Sequence, residues 1–386
     1  MSANKNIWIL SGETSGDVYG AALAKSLVKT YGENVTISGM GGTAMKQAGV
    51  NISVDSTELG VVGLVEVFKN IFTFLKIFRF LVKKAQQERP DAVILIDYPG
   101  FNIRFAKQMY KRNIKVVWYV SPQVWAWRKS RIYKLAKYCA KMLIIFPFEA
   151  DVYKKVKLDV EFVGHPLVDI IKEQFTPSLI RDSEKVLLAP GSRYSEINRI
   201  LKPMLETAII LKEKHPRLKF KISAARPSLE FRIKKIINSF ELNTGAKLNF
   251  EIECGQNLKL LQECGTGLLK SGTITVESAI TGLPSVVLYK VNPLTFLIGK
   301  IVIRKLFRGF FCMVNIIANK TIYEEFMQDE ATPEHLAKAI EKILPGETRR
   351  EFVLKETEYL TNNLLTYGKN QASDNAAEAI KKVINL

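Results

Sequence analysis

Several loops of this chain set reactive side chains directly after apolar runs. Asp97 follows DAVILI (91–96) and precedes Tyr98-Pro99-Gly100-Phe101-Asn102. A carboxylate leaving a buried strand is placed to act as a general base, and equally to cap the turn that follows. Ser271-Gly272-Thr273 comes after GTGLLK (265–270) and opens a short helix, 274–281, that holds Glu277. Small residues let a diphosphate approach the backbone, and the free N–H groups and positive dipole end of the helix favour an anion there. Glu277, one turn in, is positioned to accept hydrogen bonds from ribose hydroxyls; the alternative is an ordinary loop with a threonine cap. Arg193 lies in Pro190-Gly191-Ser192-Arg193, after KVLLA (185–189). It offers a fork-shaped donor for a phosphate, or a surface partner for Glu196.

The elements that must hold these side chains alternate strand and helix. Asn6–Leu10 reads as a first strand, running through SGETSGD (11–17) into a helix that ends near Lys29. Val35–Ser38 leads to Gly39-Met40-Gly41-Gly42, glycines that serve a tight turn or close approach to a ligand. Strands follow at Asp91–Ile96, Lys115–Val120, Met142–Phe146 and Val160–Val163. The pattern restarts at Lys185, and Gly282-Leu283-Pro284 separates the helix of Glu277 from a strand at Ser285–Tyr289. From Thr332 the chain is helical, with breaks near Pro345-Gly346 and Tyr367-Gly368. This repeat predicts an α/β protein of two Rossmann-like domains in tandem. The expected spans are 1–167 and 168–345, followed by C-terminal helices, 346–386, that pack back on the N-terminal domain. The first loop is not G-x-G-x-x-G, so no nicotinamide cofactor is expected.

The 56 Lys and Arg against 38 Asp and Glu give a net charge of +18. That balance points to anionic partners such as acidic phospholipid or phosphorylated molecules. Nucleic acid is not expected, because no recognisable module is present and the basic residues alternate with aliphatic ones. On a helix over Val61–Lys84, Lys69, Thr73, Lys76, Arg79 and Lys83 share one arc. Ile71, Phe74, Leu75, Phe78, Leu81 and Val82 take the opposite side, while Phe72 and Phe80 interrupt the polar one. An interfacial helix mixes lysines and exposed rings in this way; a core helix with snorkelling lysines is the alternative. A second basic, aromatic patch carries Lys300, Arg304 and Arg308 with Phe307, Phe310 and Phe311. The expected membrane contacts are Phe72, Phe80, Lys76, Arg79 and Phe307. Trp125 and Trp127 beside Arg128 could stack on a base, line an acyl groove or pack in the core. No apolar run reaches the ~20 residues of a membrane span. Four scattered cysteines and three separated histidines predict a reduced compartment and no metal site.

Taken together, these stretches resemble the lipid-A-disaccharide synthases. The matching segments are SGETSGD (11–17), GVVGLVE (60–66), IDYPGFN (96–102), YVSPQVWAWR (119–128), FPFE (146–149), FVGHPL (162–167), PGSR with SE (190–196), SGTITVE (271–277), and Asn315 followed by Gln328. The resemblance covers most of the chain. It implies a GT-B type fold, with two Rossmann-like domains facing each other across a cleft, and a peripheral enzyme on the cytoplasmic face of the bacterial inner membrane. The implied reaction joins UDP-2,3-diacylglucosamine to 2,3-diacylglucosamine 1-phosphate, giving the β-1,6-linked disaccharide phosphate and UDP with inversion. Under it Asp97 takes the proton of the acceptor 6-hydroxyl. Glu13, Ser192, Arg193, Ser271, Gly272, Thr273, Glu277, Asn315 and Gln328 bind substrate or UDP. No cofactor or metal is implied, since helix dipoles and basic residues can stabilise the leaving diphosphate. A surface of acidic lipids is the implied partner, and a homodimer is compatible.

The chain departs from the family pattern twice. Gly100 stands where a second acid is common after Asp97, and Met313-Val314 replaces a Leu-Pro pair before Asn315. Two other readings compete. A UDP-N-acetylglucosamine 2-epimerase-like enzyme would show no membrane dependence, and an anionic-lipid carrier would be indifferent to Asp97→Asn.

Overall fold

The computed structural model describes residues 4–56, 71–125, 129–246, 248–290 and 309–385. Phe307, the GVVGLVE segment, the Lys300–Arg308 patch and Trp127 therefore lie outside the described residues. The chain forms two compact units. One comprises Met1–Ile170 with Leu365–Leu386, the other Ile171–Leu364.

The first unit is built on strands β1 (Lys5–Ser11), β2 (Val35–Gly41), β3 (Asn51–Asp55), β4 (Ala92–Ile96), β5 (Lys115–Tyr119), β6 (Lys141–Ile144) and β7 (Asp159–Phe162). They pair in the order β3-β2-β1-β4-β5-β6-β7, all parallel. The central strands are apolar without alternation because helices cover both faces. Ile7 to Leu10 and Ala92 to Ile96 are buried throughout. One face packs under the helices Ile71–Glu88, Pro99–Tyr110 and Arg131–Tyr138, through a core that includes Trp8, Leu10, Leu81, Phe105, Trp118 and Leu135. The helices Thr14–Tyr31 and Ala372–Asn385 pack on each other. Strand order reverses between β1 and β4, which opens a crevice at their carboxyl ends.

The last helix is pinned to this first unit by polar contacts. The His165 N–H donates to the Leu365 carbonyl at 2.7 Å. The Ala372 N–H donates to Asp169 Oδ2 at 2.6 Å, and Lys29 pairs with Asp374 at 2.8 Å. The helix Thr348–Tyr359 instead belongs to the second unit. There Arg349 donates to the Ile322 carbonyl (2.7 Å), and Arg350 to those of Gly265 and Ile343 (3.0 and 2.9 Å).

The second unit repeats the plan with β8 (Asp182–Ala189), β9 (Lys219–Ala224), β10 (Glu251–Cys254), β11 (Cys264–Lys270), β12 (Ser285–Tyr289) and β13 (Glu325–Met327). The order is β10-β9-β8-β11-β12-β13, again all parallel. Its reversal falls between β8 and β11. The α/β class and the two Rossmann-like sheets are as the sequence predicts.

Two local outcomes bear on open readings. Gly39 has φ +151°, and a Cβ there would lie 1.9 Å from the Ile9 carbonyl oxygen. Asp17 accepts from the N–H groups of Gly42, Ala44 and Met45 at 2.6, 2.9 and 3.1 Å. The glycine-rich loop is thus a packed turn held by a buried carboxylate. On the helix Ile71–Glu88, Leu81, Val82 and Ala85 are buried, while Phe72, Lys76, Arg79, Phe80 and Lys83 are exposed. Leu75, expected on the inner side, is 44% exposed. It stacks one turn before Arg79 on the outer stripe, away from the Phe74–Phe78–Leu81 line.

Gly39→Ala should cost about 3 kcal/mol of stability, from the clash and the left-handed backbone together. Denaturant unfolding measures it; an unchanged midpoint would contradict this packing.

Candidate functional site

In the first unit the two strands at the reversal end in Ser11-Gly12-Glu13 and Asp97-Tyr98. Asp97 and Tyr98 have φ of 43° and 45°, an uncommon pair of non-glycine left-handed residues. Asn102 stabilises this turn from below. Fully buried, it donates to the carbonyls of Ile96 (3.2 Å) and Asp97 (2.9 Å). Pro99 at the helix start fixes the backbone just beyond. Gly12 makes room on the other side, since a Cβ there would fall 2.3 Å from the Tyr98 ring. Exposed Glu13 precedes the helix Thr14–Tyr31 and makes no side-chain cap bond to it.

Burial pushes the Asp97 carboxyl up to about 7; the Glu13 carboxylate adds to the rise, and the Tyr98 N–H pulls against it. Asp97 therefore exchanges its proton near neutrality, as a general base requires.

A buried polar group lies beyond β5 and β6. Glu149 accepts from the Phe146 N–H (3.2 Å) and the Trp125 indole N–H (3.3 Å). Ser121 Oγ and Tyr153 OH are 2.8 Å apart. Burial pushes Glu149 up to about 8 despite these donors. Trp125 is thus half-buried, tied by its indole to Glu149, with its ring 5.2 Å from that of Phe148. Buried His165 is held down to about 3 by desolvation, so it stays neutral and its Nδ1 accepts from the Leu167 N–H.

In the second unit the reversal strands end in Pro190-Gly191-Ser192-Arg193 and Ser271-Gly272-Thr273. Glu196 ties the two loops together. Its carboxylate accepts from the Ser192 N–H (3.0 Å) and pairs with Lys270 at 3.0 Å. Gly191, at φ +115°, leaves room for it: a Cβ would sit 2.5 Å from Glu196 Oε2. Arg193 lies 3.8 Å from Glu196 and its side chain is 72% exposed, so the pair is loose and the guanidinium faces solvent. Both sequence alternatives for Arg193 are compatible with this placement.

Gly272 is the N-cap of the helix Thr273–Ile280 and has no side chain to cap that N-terminus. Among the described residues a Cβ at Gly272 would meet only Lys270 Nζ, at 3.5 Å, so their packing does not demand glycine here. Ser271 Oγ donates to the Phe311 carbonyl at 3.0 Å, while Thr273 is exposed. Glu277 is pushed up to about 7 by burial, and among the described residues its carboxyl has no hydrogen bond or ion pair.

Gln328 follows β13 with φ 53°, on the same carboxyl edge. Asn315 is different. It is fully buried, accepting from the Ile322 and Tyr323 N–H groups (2.8 and 3.0 Å) and donating to the Tyr323 carbonyl (2.7 Å). Its amide shapes segment 313–323 and has no free face for a ligand. Glu325 supports the same region, accepting from the Cys312 N–H at 2.6 Å.

Sequence reasoning did not single out Asn102, Glu149, Glu325 or Lys270 as site residues. Asn102 and Glu149 lie inside the IDYPGFN and FPFE stretches, and Lys270 immediately precedes the serine turn, which is the signal that could have found them. A cavity of about 470 Å³ occurs at the other end of the first sheet, among Gln86, Arg89, Lys111, Arg112 and Asn113. It lies at helix C-termini, where cations answer the exposed carbonyls.

Comparison with known proteins bears on the family and the fold. Residues 7–382 match the family model described as lipid-A-disaccharide synthetase. The chain is 35% identical to a lipid-A-disaccharide synthase of Coxiella burnetii, over 99% of each chain. It is 36% identical to that of Syntrophus aciditrophicus, covering 98% of this chain and 99% of the relative. Among solved structures it resembles a UDP-GlcNAc 2-epimerase of Methanocaldococcus jannaschii in complex with UDP-GlcNAc and UDP, with TM-score 0.63, 14% identity and coverage of 98% and 99%. The glycotransferase of kitacinnamycin gives TM-score 0.64 at 14% identity, with the same coverage. At such identity the structural likeness bears on fold alone.

Glu13→Gln should lower the Asp97 midpoint from about 7, because a neighbouring negative charge is removed. Carboxyl-carbon NMR titration reads this directly; an unmoved midpoint would separate the two groups electrostatically.

Proposed function

The chain belongs to the lipid-A-disaccharide synthase family, and from that premise we propose how its residues carry out the reaction. UDP-2,3-diacylglucosamine is the donor and 2,3-diacylglucosamine 1-phosphate the acceptor. Asp97 takes the proton of the acceptor 6-hydroxyl as that oxygen attacks the anomeric carbon. The bond from the anomeric carbon to the UDP oxygen breaks on the opposite side, giving inversion, a β-1,6-linked disaccharide phosphate and UDP. The observation that carries this reading is the position of Asp97 at the strand-order reversal, with a carboxyl that titrates near neutrality. Glu13 keeps that carboxyl basic and contacts substrate from the facing loop.

On the donor side, the uncapped N-terminus of Thr273–Ile280 receives the diphosphate, with Ser271, Gly272 and Thr273 at its entrance. The open space at Gly272 supports a close approach by the ligand. Ser192 and exposed Arg193 add donors for a phosphate, while Glu277, without a hydrogen bond or ion pair among the described residues, accepts from ribose hydroxyls. Gln328 completes the edge, and Asn315 contributes by holding segment 313–323. These donors stabilise charge that develops on the leaving diphosphate.

The acyl chains of both substrates call for contact with a bilayer. Among the described residues no helix is long and apolar enough to cross a membrane. Exposed Phe72 and Phe80, beside Lys76 and Arg79, support peripheral docking on the cytoplasmic face of the inner membrane.

Asp97→Asn should lower turnover about 10²- to 10⁴-fold with UDP affinity retained. The wild-type kcat/KM should rise with pH up to about 7 and then level, since the base works deprotonated. Calorimetry with UDP beside a pH–rate profile checks both, and lost UDP binding with normal single-turnover chemistry would sink the assignment. Separately, Phe72→Ser with Phe80→Ser should reduce sedimentation with vesicles while leaving unfolding nearly unchanged, because both rings are exposed.

A further inference from the structure

The helices Ile71–Glu88, Pro99–Tyr110 and Arg131–Tyr138 cover one face of the first sheet as a single layer over a shared core. Neighbouring helices in this layer touch, and the rings of Tyr110 and Tyr138 meet at 5.7 Å. Their outward residues are unlike an ordinary solvated face. Lys76, Arg79, Lys83, Arg104, Lys107, Lys134 and Lys137 are all exposed. So are Phe72 (76%), Tyr133 (62%), Tyr110 (49%), Phe80 (48%) and Leu75 (44%). The chain has no Asp or Glu between Asp97 and Glu149, and the three helices hold one carboxylate, Glu88, which is paired with Lys84 at 3.4 Å. Among the described residues Lys107, Lys134 and Lys137 form no ion pair. The helices Thr14–Tyr31 and Ala372–Asn385 mix signs, with Asp374 paired to Lys29 and Glu378 beside Lys381 and Lys382.

We infer that the outer surface of all three helices, and not the first alone, is one docking face for a bilayer rich in anionic phospholipid. This rests on the peripheral-membrane reading given above and extends it to helices Pro99–Tyr110 and Arg131–Tyr138. Charge complementarity selects the occupant. A protein partner acidic enough to match would leave five large apolar side chains against charged groups, whereas a bilayer surface accepts cations at its phosphates and rings at the acyl boundary. Pro99–Tyr110 starts two residues after Asp97, so docking along this layer holds the reacting loop close to the plane where acylated substrates reside.

The test uses full-length protein and vesicles of phosphatidylglycerol mixed with phosphatidylcholine, or of phosphatidylcholine alone. The variant K107Q/K134Q/K137Q is compared with K25Q/K369Q/K382Q, which removes the same charge from exposed lysines outside these helices. Partitioning of the first variant onto the anionic vesicles should fall about a hundredfold, following the contribution of each basic residue at such a surface. The second variant should fall only a few-fold, and both should keep wild-type turnover on detergent-solubilised substrates. Equal losses for the two variants, or no loss for the first, would overturn the three-helix face. If Phe72→Ser with Phe80→Ser still abolishes binding in that case, docking by the first helix stands without the extension. If wild-type protein ignores both vesicle types, the peripheral reading falls along with the extension.

Discussion

Parallel strand pairing with an order reversal is the constraint on which the rest of this molecule depends. A parallel sheet must be covered on both faces, so every strand is followed by a crossover helix. Where the order reverses, consecutive crossovers leave in opposite directions and the loops after two adjacent strands are left uncovered. In the first unit those loops carry Glu13 and Asp97, and in the second Ser192–Arg193 and Ser271–Thr273. Neither set is adjacent in sequence. β1 and β4 bring the first pair together, and β8 and β11 the second.

The electrostatics follow from that architecture. The packed layers desolvate Asp97, just past β4, and Glu277, within the helix Thr273–Ile280, and desolvation raises a carboxyl. Asp97 and Glu277 both sit near 7 mainly for this reason, in a chain whose net charge is +18. The two groups differ in what surrounds them. Asp97 has a second carboxylate close by and a strained turn fixed by Asn102, which supports the base role proposed for it. Glu277 has neither, which fits a hydrogen-bond acceptor awaiting donors. Glu149 is a third case: its indole and backbone donors are all internal, so it acts on the conformation of Trp125 and its loop.

Much of this was legible in the sequence because β-rich runs followed by Gly, Ser or Pro turns are local signals. The strand–turn–helix–strand order of residues 264–289 needed only periodicity and Gly282-Leu283-Pro284. The position of Asp97 at a strand end was equally plain. Its partnership with Glu13 was not, since strand order is decided by long-range pairing that no local pattern encodes. Asn315, expected on the donor side from the resemblance, is a related case. A resemblance places the residue type at its position, and the returning backbone of Ile322 and Tyr323 then occupies its amide. Leu75 turned outward because the helix stripe is set by the sheet it packs on, not by hydrophobicity alone.

The most direct measurement is product stoichiometry. Purified protein in detergent would be given UDP-2,3-diacylglucosamine and 2,3-diacylglucosamine 1-phosphate, with UDP and lipid products followed together. Disaccharide phosphate and UDP appearing in equal amounts is the predicted result. UDP released without disaccharide, or tight lipid binding without turnover, would contradict the assignment of these two loop sets to glycosyl transfer.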